Sequence, residues 1–221
     1  MRILFVGNSY TYFNRMPDTL ASVARAEGMD WQVESVTKGG WFLSRFADPE
    51  DVMHAPLSEK LAETWDAVLL QEQSCCPAAD RPRFLGGVRD VCALMQQKPA
   101  RLLMYVTWGR ADGSPKLEEL GLTRLSMTAA LHDAYAEAAA ECGASLSDVG
   151  GAFAYVRENC PEIGLYNDDL SHPSPAGSYL AALIHFASLS GRLPDEVRCV
   201  PENVEPDEAA RLLRAARQFL H

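Results

Sequence analysis

The stretch Ile3-Leu4-Phe5-Val6-Gly7-Asn8-Ser9 decides the fold, because four consecutive apolar residues stop at a glycine and two polar residues. A short, continuous apolar run of this kind is typical of a strand that is buried on both faces of a parallel sheet. Similar runs recur along the chain, at 31–36, 67–70, 102–106 and, more weakly, 144–146. The sequence therefore predicts about five strands.

Helical patterns lie between these runs. Apolar residues recur with the i, i+3, i+4, i+7 spacing of a helix with one buried face at 16–27, 84–95, 123–141, 175–190 and 207–220. The alternation of strand and helix predicts right-handed crossovers and a parallel sheet with helices on both sides. We therefore predict one three-layer α/β/α domain over residues 1–221, flavodoxin-like in its parallel sheet, with a C-terminal helix near 207–220.

Composition and charge exclude several classes of protein. The chain has 221 residues, of which 48% are hydrophobic and 23% are charged, as in ordinary globular proteins. Its 30 acidic and 20 basic side chains give a formal net charge of −10, which disfavours binding to nucleic acid. No stretch approaches the roughly 18 apolar residues of a membrane span, and the N-terminus has too few apolar residues for a signal peptide. We therefore expect a cytoplasmic protein with neither a nucleic-acid nor a membrane partner.

The cysteines and other metal-binding residue types show no ligand pattern. The six cysteines form neither a C-x-x-C pair nor a zinc spacing, and no other cluster has the spacing of metal ligands. We therefore expect free thiols, no metal and no cofactor. The sequence leaves the oligomeric state open.

The candidate site lies where the predicted strands end. In an open parallel sheet, ligands bind beyond the carboxyl ends of the strands. Each of the first four apolar runs ends in polar or glycine-containing sequence, in loops at 7–11, 37–41, 71–74 and 107–110. We expect these four loops to meet on one rim of the sheet.

A late motif supplies a candidate base and its partner. The sequence Asp168-Asp169-Leu170-Ser171-His172-Pro173-Ser174-Pro175 ends where the fourth helical pattern begins. The proline after His172 keeps that residue out of helical geometry, and the Ser-Pro pair that follows is typical of a helix start. Asp169 lies three residues before His172, so in a tight turn its carboxylate can accept the Nδ1 proton and leave Nε2 as a base. Asp168 is the alternative acid.

Ser9 is the candidate nucleophile. Its hydroxyl needs a base to become reactive, and the start of the following helix offers backbone N–H groups to the oxyanion of a tetrahedral intermediate. Gly40 can bring a second N–H close, and a side-chain amide of Gln73 or Gln71 can supply a third donor. Each residue also has an ordinary structural interpretation, as a helix cap, a turn or a solvated loop residue. The combination of this serine with the Asp and His of the late motif favours a catalytic triad.

These residues resemble the pattern of the SGNH (GDSL-type) hydrolases. That family is characterised by a nucleophilic Ser near the N-terminus, an oxyanion Gly and Asn, and Asp-x-x-His near the C-terminus. The resemblance covers residues 3 to about 190 and implies a serine esterase with Ser9 as nucleophile, His172 as base and Asp169 as its orienting partner. It also implies backbone oxyanion donors at Ser9 and Gly40, and a small-molecule substrate. Family analogy suggests short acyl esters, such as acetyl groups on carbohydrate.

Two positions depart from the family pattern. Asn8 stands where Gly-Asp-Ser has its acid, and Gln71-Glu72-Gln73-Ser74 stands where the family has Gly-x-Asn-Asp. The oxyanion Asn is therefore absent, and a Gln amide would replace it with a longer reach. Two alternatives stay open. One is a non-catalytic flavodoxin-like module that binds a phosphate or small molecule at the loop after the first strand, and the other is an inactive hydrolase that retains only binding.

Four further residues near the predicted rim have open roles. Asn8, Trp41 and Trp108 are predicted to contact the substrate, and the two indoles could stack on a sugar or form a wall for an acyl group. Both indoles also fit the hydrophobic core, which is the interpretation we favour. Arg110 could bind an anionic group of the substrate, but we expect it at the surface.

Overall fold

The apolar runs become the strands of one parallel sheet. A computed structural model describes residues 1–95, 97 and 99–221, and within them the strands are β1 (Arg2–Gly7), β2 (Gln32–Thr37), β3 (Ala67–Leu70), β4 (Arg101–Val106) and β5 (Ser145–Asp148). All neighbouring strands are parallel, in the order β2-β1-β3-β4-β5. The order reverses between β1 and β3, and ligands bind at such a point in open α/β sheets.

Helices cover both faces of this sheet. On one face lie α2 (Met16–Ala26), α9 (Val149–Asn159), α10 (Pro175–Ser190) and α11 (Pro206–Leu220), and on the other lie α3 (Leu43–Ala47), α4 (His54–Leu61), α6 (Arg81–Leu94) and α8 (Arg124–Cys142). The remaining α-helices are α1 (Ser9–Tyr12), α5 (Cys76–Ala79) and α7 (Pro115–Leu120). The predicted three-layer α/β/α fold is confirmed. Across the described residues, no helix has both the length and the apolar character needed to cross a membrane.

The side chains of the strands alternate between two hydrophobic cores. Phe5 and Tyr105 belong to the core under α10, whereas Leu4 and Val6 belong to the core under α3 and α6. All four side chains are fully buried. Burial of one apolar side chain of this size stabilises a fold by about 1.5–3 kcal/mol, so the side chains on both faces of the sheet contribute to stability. The candidate polar residues lie in the loops at the carboxyl edge.

The five helical patterns form helices, with small differences at their ends. α10 begins at Pro175 as predicted, because Ser174 Oγ accepts a hydrogen bond from Gly177 N–H at 3.1 Å. α6 begins earlier than predicted, at Arg81, because the Asp80 side chain caps it. α3, α4 and α9 carry no clear sequence signal. α3 and α4 span only five and eight residues, and α9 contains two glycines, which disfavour a helix.

Two adjacent glycines of α6 differ in the space around them. A Cβ atom on Gly87 would lie 2.6 Å from the backbone nitrogen of Ser44 in α3, whereas one on Gly86 would meet nothing within 4 Å. We expect Gly87→Ala to lower the free energy of unfolding by about 1–3 kcal/mol, because backbone must shift. Gly86→Ala, the matched control, should raise it by about 0.5–1 kcal/mol through helix propensity. Urea unfolding of both variants measures this, and shifts of the same sign would contradict it.

Candidate active site

A cleft of about 410 Å³ opens at the carboxyl edge of the sheet. Its lining includes residues from the loops after the first four strands, Ser9, Gly40, Gln73 and Arg110, together with His172 from the turn before α10. The four loops therefore meet on one rim. Within the described part of the chain, no group of three or more His, Cys, Asp or Glu side chains is placed to hold a metal ion.

Ser9 is the first residue of α1, and one residue, Asn8, separates it from the end of β1. Asn8 caps this helix, because its side-chain oxygen accepts a hydrogen bond from Tyr10 N–H at 3.2 Å. Ser9 is 8% exposed, so it is largely withdrawn from bulk water although it lines the cleft. Among the residues described, none accepts a hydrogen bond from Ser9 N–H. That group is therefore available to a ligand oxygen.

His172 connects Ser9 to a carboxylate. Its Nε2 lies 2.8 Å from Ser9 Oγ, although 163 positions separate the two residues in the sequence. The other ring nitrogen, Nδ1, is hydrogen-bonded to Asp169 Oδ2. Since a carboxylate only accepts hydrogen bonds, Nδ1 carries the proton of the neutral ring and Nε2 accepts from the Ser9 hydroxyl. Asp168, the alternative acid, is exposed, and the contact with the ring belongs to Asp169.

The Asp169 carboxylate is fixed by its own turn. Its Oδ1 accepts hydrogen bonds from the N–H groups of Ser171 at 3.0 Å and His172 at 2.9 Å. Partial burial opposes the negative charge, but the hydrogen bonds from the His172 ring and from these two N–H groups outweigh it and hold the pKa of Asp169 below its usual value. Asp169 is therefore ionised at neutral pH and orients the ring.

Aromatic residues of the first loop hold the His172 ring. Phe13 stacks on it with a centroid distance of 4.2 Å, and Tyr10 contacts it edge-on at 5.6 Å. The Tyr10 hydroxyl lies 2.8 Å from Ser171 Oγ, and Trp108 Nε1 donates to the Ser171 carbonyl at 3.1 Å. Sequence reasoning missed Phe13 and Tyr10. The signal that points to them is the aromatic-rich segment 10–13, directly after the candidate nucleophile.

Two further groups that can donate hydrogen bonds line the cleft. Gly40 has a φ of 73°, which favours glycine, and nothing in the described part of the chain accepts from its N–H. Gln73 Oε1 accepts from the backbone N–H groups of residues 75 and 76, at 2.9 and 3.1 Å. The amide nitrogen of Gln73 donates to Ser74 Oγ at 3.4 Å, and its second N–H group remains for the cleft. Ser9, Gly40 and Gln73 give three candidate oxyanion donors, from the ends of β1, β2 and β3.

The chain is similar to a solved structure of the family that its motifs resemble. A protein from Slackia heliotrinireducens that is assigned to the SGNH hydrolases is 34% identical, with a TM-score of 0.72, over 86% of this chain and 98% of that chain. The chain belongs to the SGNH hydrolase family. The predicted resemblance to the SGNH hydrolases is thus confirmed.

More distant structures share the fold of this SGNH hydrolase. A DUF4886 family protein from Bacteroides uniformis is 20% identical, with a TM-score of 0.84, and the match covers 100% of this chain and 94% of that chain. An acetyl xylan esterase from Geobacillus stearothermophilus is 14% identical, with a TM-score of 0.62, over 88% and 97% of the two chains. No protein-family model and no curated protein matches the chain.

Gln71 lies outside the cleft of this SGNH hydrolase. Its side chain is buried, and Oε1 accepts hydrogen bonds from Asn8 N–H at 2.8 Å and from Thr11 Oγ1 at 2.9 Å. Its Nε2 donates to Asn8 Oδ1 at 3.1 Å and to the carbonyl of Glu72. Gly7 permits this packing, because a Cβ there would lie 2.5 Å from Gln71 Oε1. Both amide atoms are used inside the loop, so the structure does not place Gln71 with the candidate oxyanion donors.

Asn8 lines the cleft, but hydrogen bonds already engage its side chain. Oδ1 accepts from Tyr10 N–H and Gln71 Nε2, and Nδ2 donates to the carbonyl of Trp41 at 3.1 Å. Its observed contacts therefore join the loops after β1, β2 and β3, and its contact with a substrate stays a prediction.

The two indoles predicted at the substrate site do not line the cleft. Trp108 is fully buried and stacks between Tyr10 and Phe153, at centroid distances of 4.6 and 4.1 Å. Trp41 is partly buried against the core under α3, and its Nε1 donates to Asp51 Oδ1 at 2.9 Å. Trp108 therefore belongs to the core, whereas Trp41 lies at its edge, with the cations of Lys38 and Arg45 over its ring.

Arg110 lies in the cleft, and the expected surface position is wrong. Its Nη2 donates to Ser74 Oγ at 3.0 Å. The loop after β4 is held inward, because Gly109 N–H donates to Thr128 Oγ1 at 3.1 Å and the Gly109 carbonyl accepts from the Tyr166 hydroxyl at 2.8 Å. These long-range contacts turn the guanidinium toward the loop after β3.

Glu72 is a buried carboxyl group between two candidate oxyanion loops. Its oxygens accept hydrogen bonds from the backbone N–H groups of Leu43 at 3.2 Å and Gln73 at 2.6 Å. Burial raises the pKa of Glu72 to about 8, and the two N–H donors and the charge of Arg83 offset this only in part. Glu72 thus ties the loop after β2 to the loop after β3. The sequence signal that points to Glu72 is its position, since a charged residue lies here only two positions after an apolar strand.

The raised pKa of Glu72 makes stability depend on pH. Between its ordinary pKa of 4.5 and the folded value of about 8, the folded protein holds a proton that the unfolded chain releases. Stability should therefore fall as the pH rises through this interval. Relative to Glu72→Gln, we expect the wild-type free energy of unfolding to fall by up to about 1.4 kcal/mol per pH unit. Urea unfolding of both proteins between about pH 5 and pH 9 tests this, and a difference that does not change with pH would contradict it.

Proposed function

We propose that this SGNH hydrolase is a serine esterase that cleaves short acyl esters through an acyl-enzyme on Ser9. The observation that carries the proposal is the hydrogen-bonded series at His172, with Nε2 2.8 Å from Ser9 Oγ and Nδ1 on Asp169. A serine hydroxyl is a weak nucleophile until a positioned base takes its proton. A module that only bound a small molecule would need no such alignment of nucleophile, base and carboxylate.

Acylation begins with attack of Ser9 Oγ on the ester carbonyl carbon, as its proton passes to His172 Nε2. The ring becomes an imidazolium, which the Asp169 carboxylate stabilises through Nδ1. The face of Phe13, stacked on the ring at 4.2 Å, also favours the cation. His172 then gives the proton to the leaving alcohol, the C–O bond of the ester breaks, and the acyl group remains on Ser9.

The negative charge on the carbonyl oxygen is stabilised by fixed donors. The backbone N–H groups of Ser9 and Gly40 and the amide of Gln73 would bind this oxygen in both tetrahedral intermediates. Donors that are already oriented need no rearrangement during the reaction, which is why such groups contribute strongly to rate. The Gln73 amide is oriented in advance, because its oxygen caps the N–H groups of residues 75 and 76.

Deacylation repeats the same proton transfers with water. His172 Nε2 takes a proton from a water molecule, and the resulting hydroxide attacks the acyl carbonyl. The imidazolium then protonates Ser9 Oγ as the acid leaves, which restores the enzyme. Asp169 stays ionised throughout and keeps the ring in one tautomer.

The cleft fits a small ester. Its volume of about 410 Å³ lies at the lower end of the range for small-molecule sites, and the side chains of Tyr12 and Phe13 contribute to its lining. Two solved structures that share the fold are acetyl xylan esterases. We therefore propose acetyl and other short acyl groups, carried on an alcohol such as a carbohydrate, as the substrate class.

Replacement of the nucleophile or the base should abolish turnover. We expect Ser9→Ala and His172→Ala each to lower kcat by about 10⁴-fold or more, and the double variant to be little worse than either single one, because the residues act as a unit. The assay is hydrolysis of p-nitrophenyl acetate, butyrate and octanoate, in which the rate should fall with acyl length. Ser22→Ala and His132→Ala, which remove the same groups outside the cleft, are the controls. Turnover by Ser9→Ala within tenfold of the wild type would contradict the proposed mechanism.

The contribution of Gln73 can be separated from its role as a cap. Gln73→Glu keeps an oxygen for the N–H groups of residues 75 and 76 but loses the N–H donor, so kcat should fall by roughly 10²–10³ with a much smaller change in KM. Gln218→Glu is the matched control, because Gln218 is exposed and, within the described residues, its side-chain oxygen accepts from the Tyr155 hydroxyl while its amide nitrogen donates to none. Steady-state kinetics with p-nitrophenyl acetate measure both variants. A kcat for Gln73→Glu within threefold of the wild type would exclude Gln73 as an oxyanion donor.

A further inference from the structure

The cleft contains a cation with no carboxylate partner. The chain has ten more acidic than basic side chains, which gives it a formal charge of −10. Many of its arginines form ion pairs, such as Arg45 with Asp51 and Arg124 with Asp112. Arg110 lines the cleft, and its side chain hydrogen-bonds to Ser74 Oγ at 3.0 Å and to the Cys75 side chain, neither of which is a carboxylate. Its charge is therefore left for a ligand.

The hydrogen-bonding capacity of Arg110 is also incompletely used. Its Nε is buried and has no partner within the described residues. Asp169 is a carboxylate whose charge acts on Arg110, but its oxygens already accept from His172 and from the Ser171 N–H. A guanidinium presents a planar fork of donors that matches two oxygens of one anion. The Nη groups of Arg110, of which one donates to Ser74 Oγ, thus retain N–H donors for a carboxylate.

The strand order sets the distance between this cation and the reacting serine. Ser9 follows β1 and Arg110 follows β4, and β3 lies between them. Two strand spacings amount to about 10 Å, and the Arg110 side chain reaches back over the loop after β3 to Ser74. An anionic group a few bonds from the scissile carbonyl would therefore meet the guanidinium while the carbonyl lies at Ser9.

We propose that Arg110 binds a carboxylate of the substrate, so that this hydrolase selects esters that carry a negative charge near the ester bond. The inference rests on the proposed ester hydrolysis and narrows its substrate class. The carboxylate belongs either to the acyl group or to the leaving alcohol, and isosteric pairs of substrates distinguish these two sources.

The test compares each charged ester with its neutral amide. Mono-4-nitrophenyl glutarate and 4-nitrophenyl glutaramate place the charge on the acyl side, while 4-acetoxybenzoate and 4-acetoxybenzamide place it on the alcohol side. For one of these pairs, we expect the wild type to favour the charged ester by about tenfold or more in kcat/KM. Arg110→Gln should lower kcat/KM for that ester by about 30- to 1000-fold and leave its neutral partner within about threefold, as expected for a charged pair that loses one member.

Two further variants exclude trivial explanations. Arg110→Lys keeps the charge but not the fork, and it should retain part of the preference. Arg89→Gln removes a positive charge at an exposed ion pair with Glu141, away from the cleft, and should leave the preference unchanged. Equal losses on the charged and neutral esters in a folded Arg110→Gln variant would overturn the proposal, because Arg110 would then act only through Ser74. An Arg110→Gln variant whose kcat/KM for each ester equals that of the wild type would overturn it as well.

A binding measurement separates this inference from the proposed function. Calorimetry with glutarate and with 4-hydroxybenzoate, on Ser9→Ala and on Ser9→Ala/Arg110→Gln, needs no turnover. If the affinity for either carboxylate is at least tenfold lower in the double variant, the anion site is supported. This holds even if no ester is hydrolysed, and in that case only the proposed function fails. Ester hydrolysis that depends on Ser9, with no charge preference and no carboxylate binding, overturns this inference and leaves the proposed function intact.

Discussion

The hydrogen bond between Ser9 Oγ and His172 Nε2 connects the segment after β1 to the last turn before α10. Further hydrogen bonds hold that turn against the carboxyl edge from two sides. From the loop after β4, Ala111 N–H donates to the carbonyl of Leu170 at 2.9 Å. From the first loop, Asn14 Nδ2 donates to the carbonyl of the proline after His172, also at 2.9 Å. Leu170 has a φ of 58°, a conformation that costs free energy in a non-glycine residue, and these contacts maintain it.

Three consecutive polar residues after β3 each hydrogen-bond to a different segment around the site. Gln71 is hydrogen-bonded to the loop that carries Ser9, Glu72 binds the loop after β2, and Gln73 caps α5 and leaves its amide nitrogen toward the cleft. Buried polar groups are costly unless they have partners, so this segment has little freedom to rearrange. In the proposed mechanism, that constraint lets a glutamine, with its longer and more flexible side chain, take the place that an asparagine has in the family pattern.

The sequence was enough to predict the features that depend on local pattern. The two periodicities predicted the sheet, the main helices and the edge at which the loops meet, and Ser-Pro before α10 predicted where His172 stands. Features that depend on distant partners could not be predicted. Gln71 and Gln73 look alike in the sequence, and only the contacts of Gln71 with Asn8 and Thr11 separate them. The inward course of Arg110 likewise depends on contacts of its loop with α8 and with Tyr166.

The most direct test of the central claim is covalent labelling of the nucleophile. A fluorophosphonate reacts with a serine that an adjacent base activates, so intact-mass and peptide mass spectrometry identify which residue forms the adduct. The proposed triad predicts one adduct on wild-type protein, located on Ser9, and a rate of labelling that is lowered by at least about 10³-fold in His172→Ala. Wild-type protein that stays unlabelled, or an adduct on Ser9 that forms equally fast without His172, would contradict the assignment of Ser9, His172 and Asp169 as a catalytic unit.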